Sequence, residues 1–173
     1  MTDEIFLEIP GEKDENEALK MIKVWREFGG RMNPGLLRTL DKNYSEWLIY
    51  IKDKSTEKNT DEVPQTLYFM KNKSGIIFGA LAIRHYLNFT NIIDGGHIAY
   101  GISPEYRGKG LGNLILNLGK EKAKNFNIEK ILVTCDADNF LSQKVILKNN
   151  GVLENQTYDE DNILINRYWI DLL

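Results

Sequence analysis

The segment 107–112 carries the residues of this chain best suited to holding a ligand. Glycines alternate at positions 108, 110 and 112, Arg107 and Lys109 stand between and beside them, and Leu111 starts a run of apolar residues at helical spacing. Glycine reaches positive φ without strain and lets the backbone approach a ligand closely. The first amides of a helix have no partner inside it and lie at the positive end of its dipole. A glycine-rich turn opening a helix is therefore an anion site, of a size that suits a pyrophosphate. The same glycines would also serve a purely structural turn. The spacing is not that of the dinucleotide fingerprint Gly-x-Gly-x-x-Gly, and no Gly-Lys-Ser/Thr follows as in a nucleoside-triphosphate loop.

Few other side chains offer reactivity. The two histidines are His85 and His97. An imidazole, with an unperturbed pKa of about 6.5, is close to what a general base at neutral pH needs. Cys135 is the only cysteine, so no internal disulfide can form, and no Cys/His group has zinc-ligand spacing. It reads as a small buried hydrophobe or as an acyl carrier.

Composition narrows the class of protein. The chain has 173 residues, 42% hydrophobic and 27% charged, with a formal net charge of -3. That length suits one domain, 1–173, able to bury a core without disulfides or metals. The charge balance gives no reason to expect a nucleic acid or a membrane as partner. Residues 1–17 hold seven acids against Lys13, whereas 103–148 hold eight Lys or Arg against five acids. The basic excess around the glycine-rich turn suits an anionic ligand, although solvated helix faces explain most of these lysines equally well. No apolar run approaches the ~18 residues of a membrane helix. The start Met1-Thr2-Asp3-Glu4 lacks the basic and apolar regions of a signal peptide, and a cytoplasmic location is the expectation.

Patterning supplies the elements that would position the turn. Residues 5–9 read as a first strand, 15–28 as an amphipathic helix stopped at Gly29-Gly30, 36–40 as a short helical piece, and 44 onward as a further helix. Residues 55–64 are polar and read as a surface loop. Three strands follow, at 66–71, 76–86 and 97–103, as an antiparallel meander. The pattern then alternates: helix 111–126, strand 130–134, helix 140–148, and strands 152–157 and 163–170. This order predicts an α/β or α+β layered architecture with a mixed sheet.

At this point the chain resembles a known family. Arg107-x-x-Gly110-x-Gly112 is similar to the Gln/Arg-x-x-Gly-x-Gly/Ala signature of the GNAT acyltransferases. The stretch Tyr100-Gly101-Ile102-Ser103-Pro104-Glu105-Tyr106 ahead of it looks like that family's fourth strand and loop. Asp136-Ala137-Asp138-Asn139-Phe140-Leu141-Ser142 resembles its Asn-x-x-Ala/Ser element after the fifth strand. The resemblance implies a GNAT-like, mostly antiparallel sheet of about seven strands, helices on both faces, and fourth and fifth strands that splay apart. It implies acetyl-CoA as co-substrate, no metal, and transfer of acetyl to a primary amine by direct attack in a ternary complex. The acceptor would be a small-molecule or peptide amine, and a homodimer would be in keeping with the family. A non-catalytic acyl-CoA-binding or regulatory domain is the alternative.

The resemblance also distributes roles. The amides of Gly108, Lys109, Gly110, Leu111 and Gly112 would bind the coenzyme A pyrophosphate, helped by the charges of Arg107 and Lys109. Ile102 and Ser103 would offer backbone hydrogen bonds to the pantetheine arm, as an added strand does. An amide at Gly101 or Ile102 would polarise the thioester carbonyl. Asn139 would bond a pantetheine amide, with Ser142 lining the same side; Asn139 reads equally as a helix N-cap, and both roles are compatible. Many members carry a glutamate on the fourth strand, and the matching position is His97, which would act as general base. A strand-start histidine bonded within a loop is the other reading. Many members also place a tyrosine seven residues after the asparagine, as acid for the departing thiolate; that position is Ile146. Trp25, Phe28, Met32, Tyr44 and Trp47 would either wall an acceptor pocket or belong to the core.

Overall fold

In the computed structural model, which describes residues 4–41, 43–57 and 62–172, the strands form two separate antiparallel sheets. The first contains β1 (Ile5–Glu8), β2 (Gln65–Asn72), β3 (Ile77–Arg84) and β4 (Ile98–Ile102) in that order. The second contains β5 (Lys130–Asp136), β6 (Val152–Tyr158) and β7 (Leu164–Asp171), with β7 in the middle. Four helices accompany them: α1 (Glu15–Phe28), α2 (Tyr44–Lys54), α3 (Leu111–Ala123) and α4 (Phe140–Lys148). The expected layered α/β architecture is present, with seven strands and helices on both faces. Every strand ladder is antiparallel among the described residues. The acidic start at 1–3 and positions 58–61 of the polar loop lie outside the described residues.

Strand alternation builds two cores from one sheet, because successive side chains point to opposite faces. In β2, Leu67 and Phe69 face one cluster, and Tyr68 and Met70 face the other. In β3, Ala80 and Ala82 oppose Leu81 and Ile83 in the same way. On one face lies α1, with Ala18, Met21, Ile22 and Trp25 buried at helical spacing, together with α2. On the other lies α3, so close that a Cβ on Gly119 would sit 2.5 Å from Leu81 Cδ1. Burial on both faces explains why these strands read as nearly continuous apolar runs. The polar Lys71 of β2 is also buried, and it is compensated by ion pairs with Asp14 at 2.7 Å and with Glu8.

The aromatic residues 25, 44 and 47 and Met32 belong to this core, at 2–6% exposure, and Phe28 is 66% exposed. None of them lines the cavity described below, so the pocket-wall reading gives way to the core reading. Helical spacing had placed them against the sheet, and the sheet supplies the partner.

Candidate functional site

The two sheets share one apolar core, and hydrogen bonds latch them together where β4 begins. The His97 amide, just ahead of β4, donates to the Leu132 carbonyl of β5 at 2.8 Å, and the Leu132 amide donates to His97 Nδ1 at 2.9 Å. Gly96 makes this approach feasible: at φ 57, a Cβ on it would lie 2.3 Å from the Leu132 carbonyl oxygen. Beyond the latch no ladder joins β4 to β5, so the strands open toward Ser103 and Asp136.

The register of β4 decides which backbone groups face that opening. His97 accepts from the Arg84 amide, and Ser103 donates to the Phe78 carbonyl, both on the β3 side. Residues of an antiparallel strand alternate in this respect, so Ala99 and Gly101 also turn to β3, and Ile98, Tyr100 and Ile102 turn their backbone groups to the gap. The Ile102 amide is therefore one of the donors that face the gap, whereas its carbonyl accepts from Arg107 Nε at 3.0 Å. Ser103 departs from expectation. Its amide is taken by Phe78, its carbonyl accepts from Tyr106, and its buried hydroxyl has no partner.

The glycine-rich turn is left-handed and open to solvent. Gly108 at φ 75 and Gly110 at φ 78 are left-handed, and a Cβ on either would meet nothing within 4 Å. None of the turn and loop hydrogen bonds is donated by the amides of residues 108–112; the first donors of α3 that find a partner are Asn113 and Leu114, both on the Gly110 carbonyl. Leu111 packs on the core and anchors the turn. Gly112 keeps α3 against α4, since a Cβ there would come within 3.2 Å of Val145 Cγ2. Lys109 Nζ lies over the Tyr106 ring at 5.4 Å. Arg107 leans toward α1, its guanidinium over the rings of Trp25 at 5.5 Å and Phe28 at 5.1 Å.

Across the gap, Asn139 caps α4: its Oδ1 accepts the Ser142 amide at 3.1 Å. The side chain is exposed, and no hydrogen bond among the described residues uses its Nδ2 donors. Ser142 Oγ lies 3.3 Å from the Tyr100 hydroxyl. Burial pushes the Tyr100 phenol up to about 12 and the Cys135 thiol up to about 11, so both hold their protons at neutral pH. Cys135 is 8% exposed and belongs to the core, which fits the small-hydrophobe reading. Ile146 is fully buried and presses on Gly151, away from the gap.

His97 does not sit as a base would. It is 7% exposed, its Nδ1 is occupied by Leu132, and it is not part of the cavity lining. Burial, reinforced by the neighbouring Arg84 charge, pulls its pKa down to about 4. A base that weak takes little proton from an ammonium. The reading of His97 as general base is replaced by that of a latch between the sheets. His85 stacks on Phe126 and bonds Thr66, also away from the cavity.

A cavity of about 760 Å³ runs from this gap toward the segment between α1 and α2. Tyr100, Cys135, Asn139 and Ser142 line it, as do Arg31, Arg84 and Asp94. Residues 107–112 are not in the lining and stand on the adjoining head of α3. Arg84 and Asp94 belong to no motif of the sequence, and Tyr100 heads the strand stretch of the resemblance without a role for its hydroxyl. Among the described residues no group of His, Cys, Asp and Glu is arranged to hold a metal, and no helix is long and apolar enough to cross a membrane.

Residues 35–151 match the model of the acetyltransferase (GNAT) family. No protein of curated function matches the chain by sequence. Among solved structures, mutant forms of the spermidine/spermine N-acetyltransferase SpeG from Vibrio cholerae superpose with a TM-score of 0.66 at 11% identity, over 98% of this chain and 95% of that one. The candidate acetyltransferase yncA from Salmonella typhimurium, determined with its cofactor acetyl-CoA, gives 0.65 at 12% identity over 98% and 94%. A candidate acetyltransferase from Acinetobacter baylyi gives 0.64 at 14% over 99% and 94%.

Proposed function

Because the chain belongs to the acetyltransferase (GNAT) family, we propose that it transfers an acetyl group from acetyl-CoA to a primary amine by direct attack in a ternary complex. One observation carries this reading: the amides of residues 108–112 donate none of the turn, loop or cap hydrogen bonds, at a left-handed glycine turn where a Cβ on Gly108 or Gly110 would meet nothing within 4 Å, next to a gap edged by the Ile102 amide and the Asn139 side chain. These donors fit a pyrophosphate followed by an amide-bearing arm. Lys109 adds charge at the turn, and Ser142 lines the arm's far side. The Ile102 amide is the donor for the thioester oxygen as charge builds on it.

In the transfer, the amine nitrogen bonds to the acetyl carbon and the carbon–sulfur bond breaks, its electron pair leaving on sulfur. An acceptor that arrives as ammonium loses two protons. A primary ammonium of pKa about 10 is only ~0.1% neutral at pH 7, so the first proton must leave before attack. With His97 neutral and enclosed, water in the cavity carries that proton out. The second ends on sulfur. The Tyr100 hydroxyl is suited to deliver it and to recover one from the amine, since it lies in the cavity lining, protonated, beside Ser142. The usual helix position, Ile146, is apolar and buried. A protonated, enclosed Cys135 argues against a covalent acyl intermediate, because the thiolate is the nucleophile.

The reading covers one catalytic domain, 1–173, working in the cytoplasm, where a lone thiol stays reduced. The buried Ile146 is the observation that favours the alternative, a non-catalytic acyl-CoA-binding domain. Incubation with acetyl-CoA and a panel of amines, with acetylated products read by mass spectrometry, tests the choice. Acetylated product supports transfer; acetyl-CoA binding without product from any amine supports the alternative.

A further inference from the structure

The cavity lining holds two opposite charges, Arg84 and Asp94, that feel each other but form no direct ion pair. Arg84 ends β3, and its Nη1 donates to the carbonyls of Gly95 at 3.1 Å and Gly96 at 2.8 Å. The loop closes tightly over it: Gly95, at φ 96, would carry a Cβ only 3.2 Å from Arg84 Nη1. The guanidinium is thus fixed by neutral carbonyls, and burial pulls its pKa below the ordinary value. Asp94 stands in the same cavity lining, and its carboxyl pKa is raised, first by burial and then by the nearby charge of Asp159, against the opposing pull of a Gly95 backbone hydrogen bond and of the Arg31 and Arg84 charges. Neither Arg84 nor Asp94 takes part in an ion pair among the described residues. A partly desolvated charge met only by neutral groups and by charges beyond ion-pair distance keeps part of its desolvation cost, and a ligand of opposite charge relieves it.

We infer that the acceptor is a zwitterion, a small amino-acid-like molecule whose carboxylate is held by Arg84 and whose ammonium is held by Asp94 before it is deprotonated and acetylated. This deepens, and rests on, the acetyltransferase reading. Arginine is apt for the first task, because its planar fork matches a carboxylate with two parallel bonds. The lining as a whole is charge-balanced, with Arg31, Arg38, Lys54 and Arg84 against Glu62, Asp94, Asp136 and Asp159, which suits a ligand that carries both charges better than a polycation. A plain monoamine would leave the guanidinium unanswered.

The test compares pairs of acceptors on the wild-type protein with saturating acetyl-CoA: amino acids with amine and carboxylate at increasing separation, each against the amine that lacks the carboxylate, and spermidine. At least one amino acid is expected to exceed its decarboxylated partner in kcat/KM by about tenfold or more, as charged hydrogen bonds imply. Arg84→Gln should raise the KM of that amino acid by a similar factor and erase the preference. Should Arg84→Gln misfold, Asp94→Asn offers a second variant, expected to raise the same KM. Equal or faster acetylation of the plain amines or spermidine overturns the zwitterion and leaves acetyl transfer standing. A preference that survives Arg84→Gln overturns the role of that residue. Failure to acetylate any amine removes both readings.

Discussion

His97 and Leu132 close the space between the two sheets by exchanging hydrogen bonds, His97 through its amide and its Nδ1, Leu132 through its carbonyl and its amide. A histidine that accepts an amide hydrogen bond must be neutral there. Its pKa is pulled to about 4 in the fold, against about 6.5 in an unfolded chain. The unfolded state therefore binds the proton more readily. The stabilisation is whole above about pH 6.5 and is lost as the pH falls toward about 4, by at most about 3 kcal/mol. Chemical denaturation at acidic and neutral pH should show this slope, and His97→Gln should flatten it. A variant with the wild-type slope would place the titration elsewhere.

Asn139 holds two positions at once. Its Oδ1 caps α4 and its Nδ2 is left for a ligand. Asn139→Ala should lower stability by about 1 kcal/mol through the lost cap. It should also weaken acetyl-CoA binding by about 1 kcal/mol, the usual net worth of one hydrogen bond. Asn139→Asp retains the cap oxygen and removes the donor, so it should keep stability and still weaken binding. Titration calorimetry and melting curves on the two variants separate the roles.

Tyr100→Phe removes the hydroxyl beside Ser142 and leaves the packing of the ring. If this group protonates the departing sulfur, kcat should fall by roughly 100-fold, within the range of general acid catalysis, with little change in acetyl-CoA affinity. Because the phenol titrates only near 12, activity should show no loss on its account up to about pH 9. Unchanged kcat in Tyr100→Phe would leave the thiolate departing without a protein acid.

Cys135→Ala should retain turnover within about threefold, because a buried, protonated thiol does not carry an acyl group. The cost should fall on stability, at about 1 kcal/mol, for the small cavity left in the core. Loss of all activity in a folded Cys135→Ala protein would revive a covalent route.

The elements and the turn were readable because their signals are local. The apolar spacing of α1 and the asparagine ahead of α4 gave their bounds directly, and the glycines at 108 and 110 marked left-handed backbone at the head of α3. Residues defined by distant partners were not readable. The Tyr100 hydroxyl gains meaning from Ser142, 42 residues away, and Arg84 from a loop that folds back over it. His97 was assigned by its strand position, yet its role is decided by Leu132 on another sheet. The neighbouring Gly96 was the available signal, since a glycine before a strand marks a close backbone approach. Ser103 differs from the expectation because one residue of strand register turns its amide from the gap to β3.

Calorimetric titration of acetyl-CoA into the wild type and into Gly110→Val tests the central claim most directly. Valine at φ 78 is strained and fills the open space above the turn without touching the core. The account predicts saturable binding to the wild type and a loss of about tenfold or more in Gly110→Val, with its secondary structure intact by circular dichroism. A wild type that does not bind acetyl-CoA, or a folded Gly110→Val protein that binds it equally well, would contradict the assignment of the site.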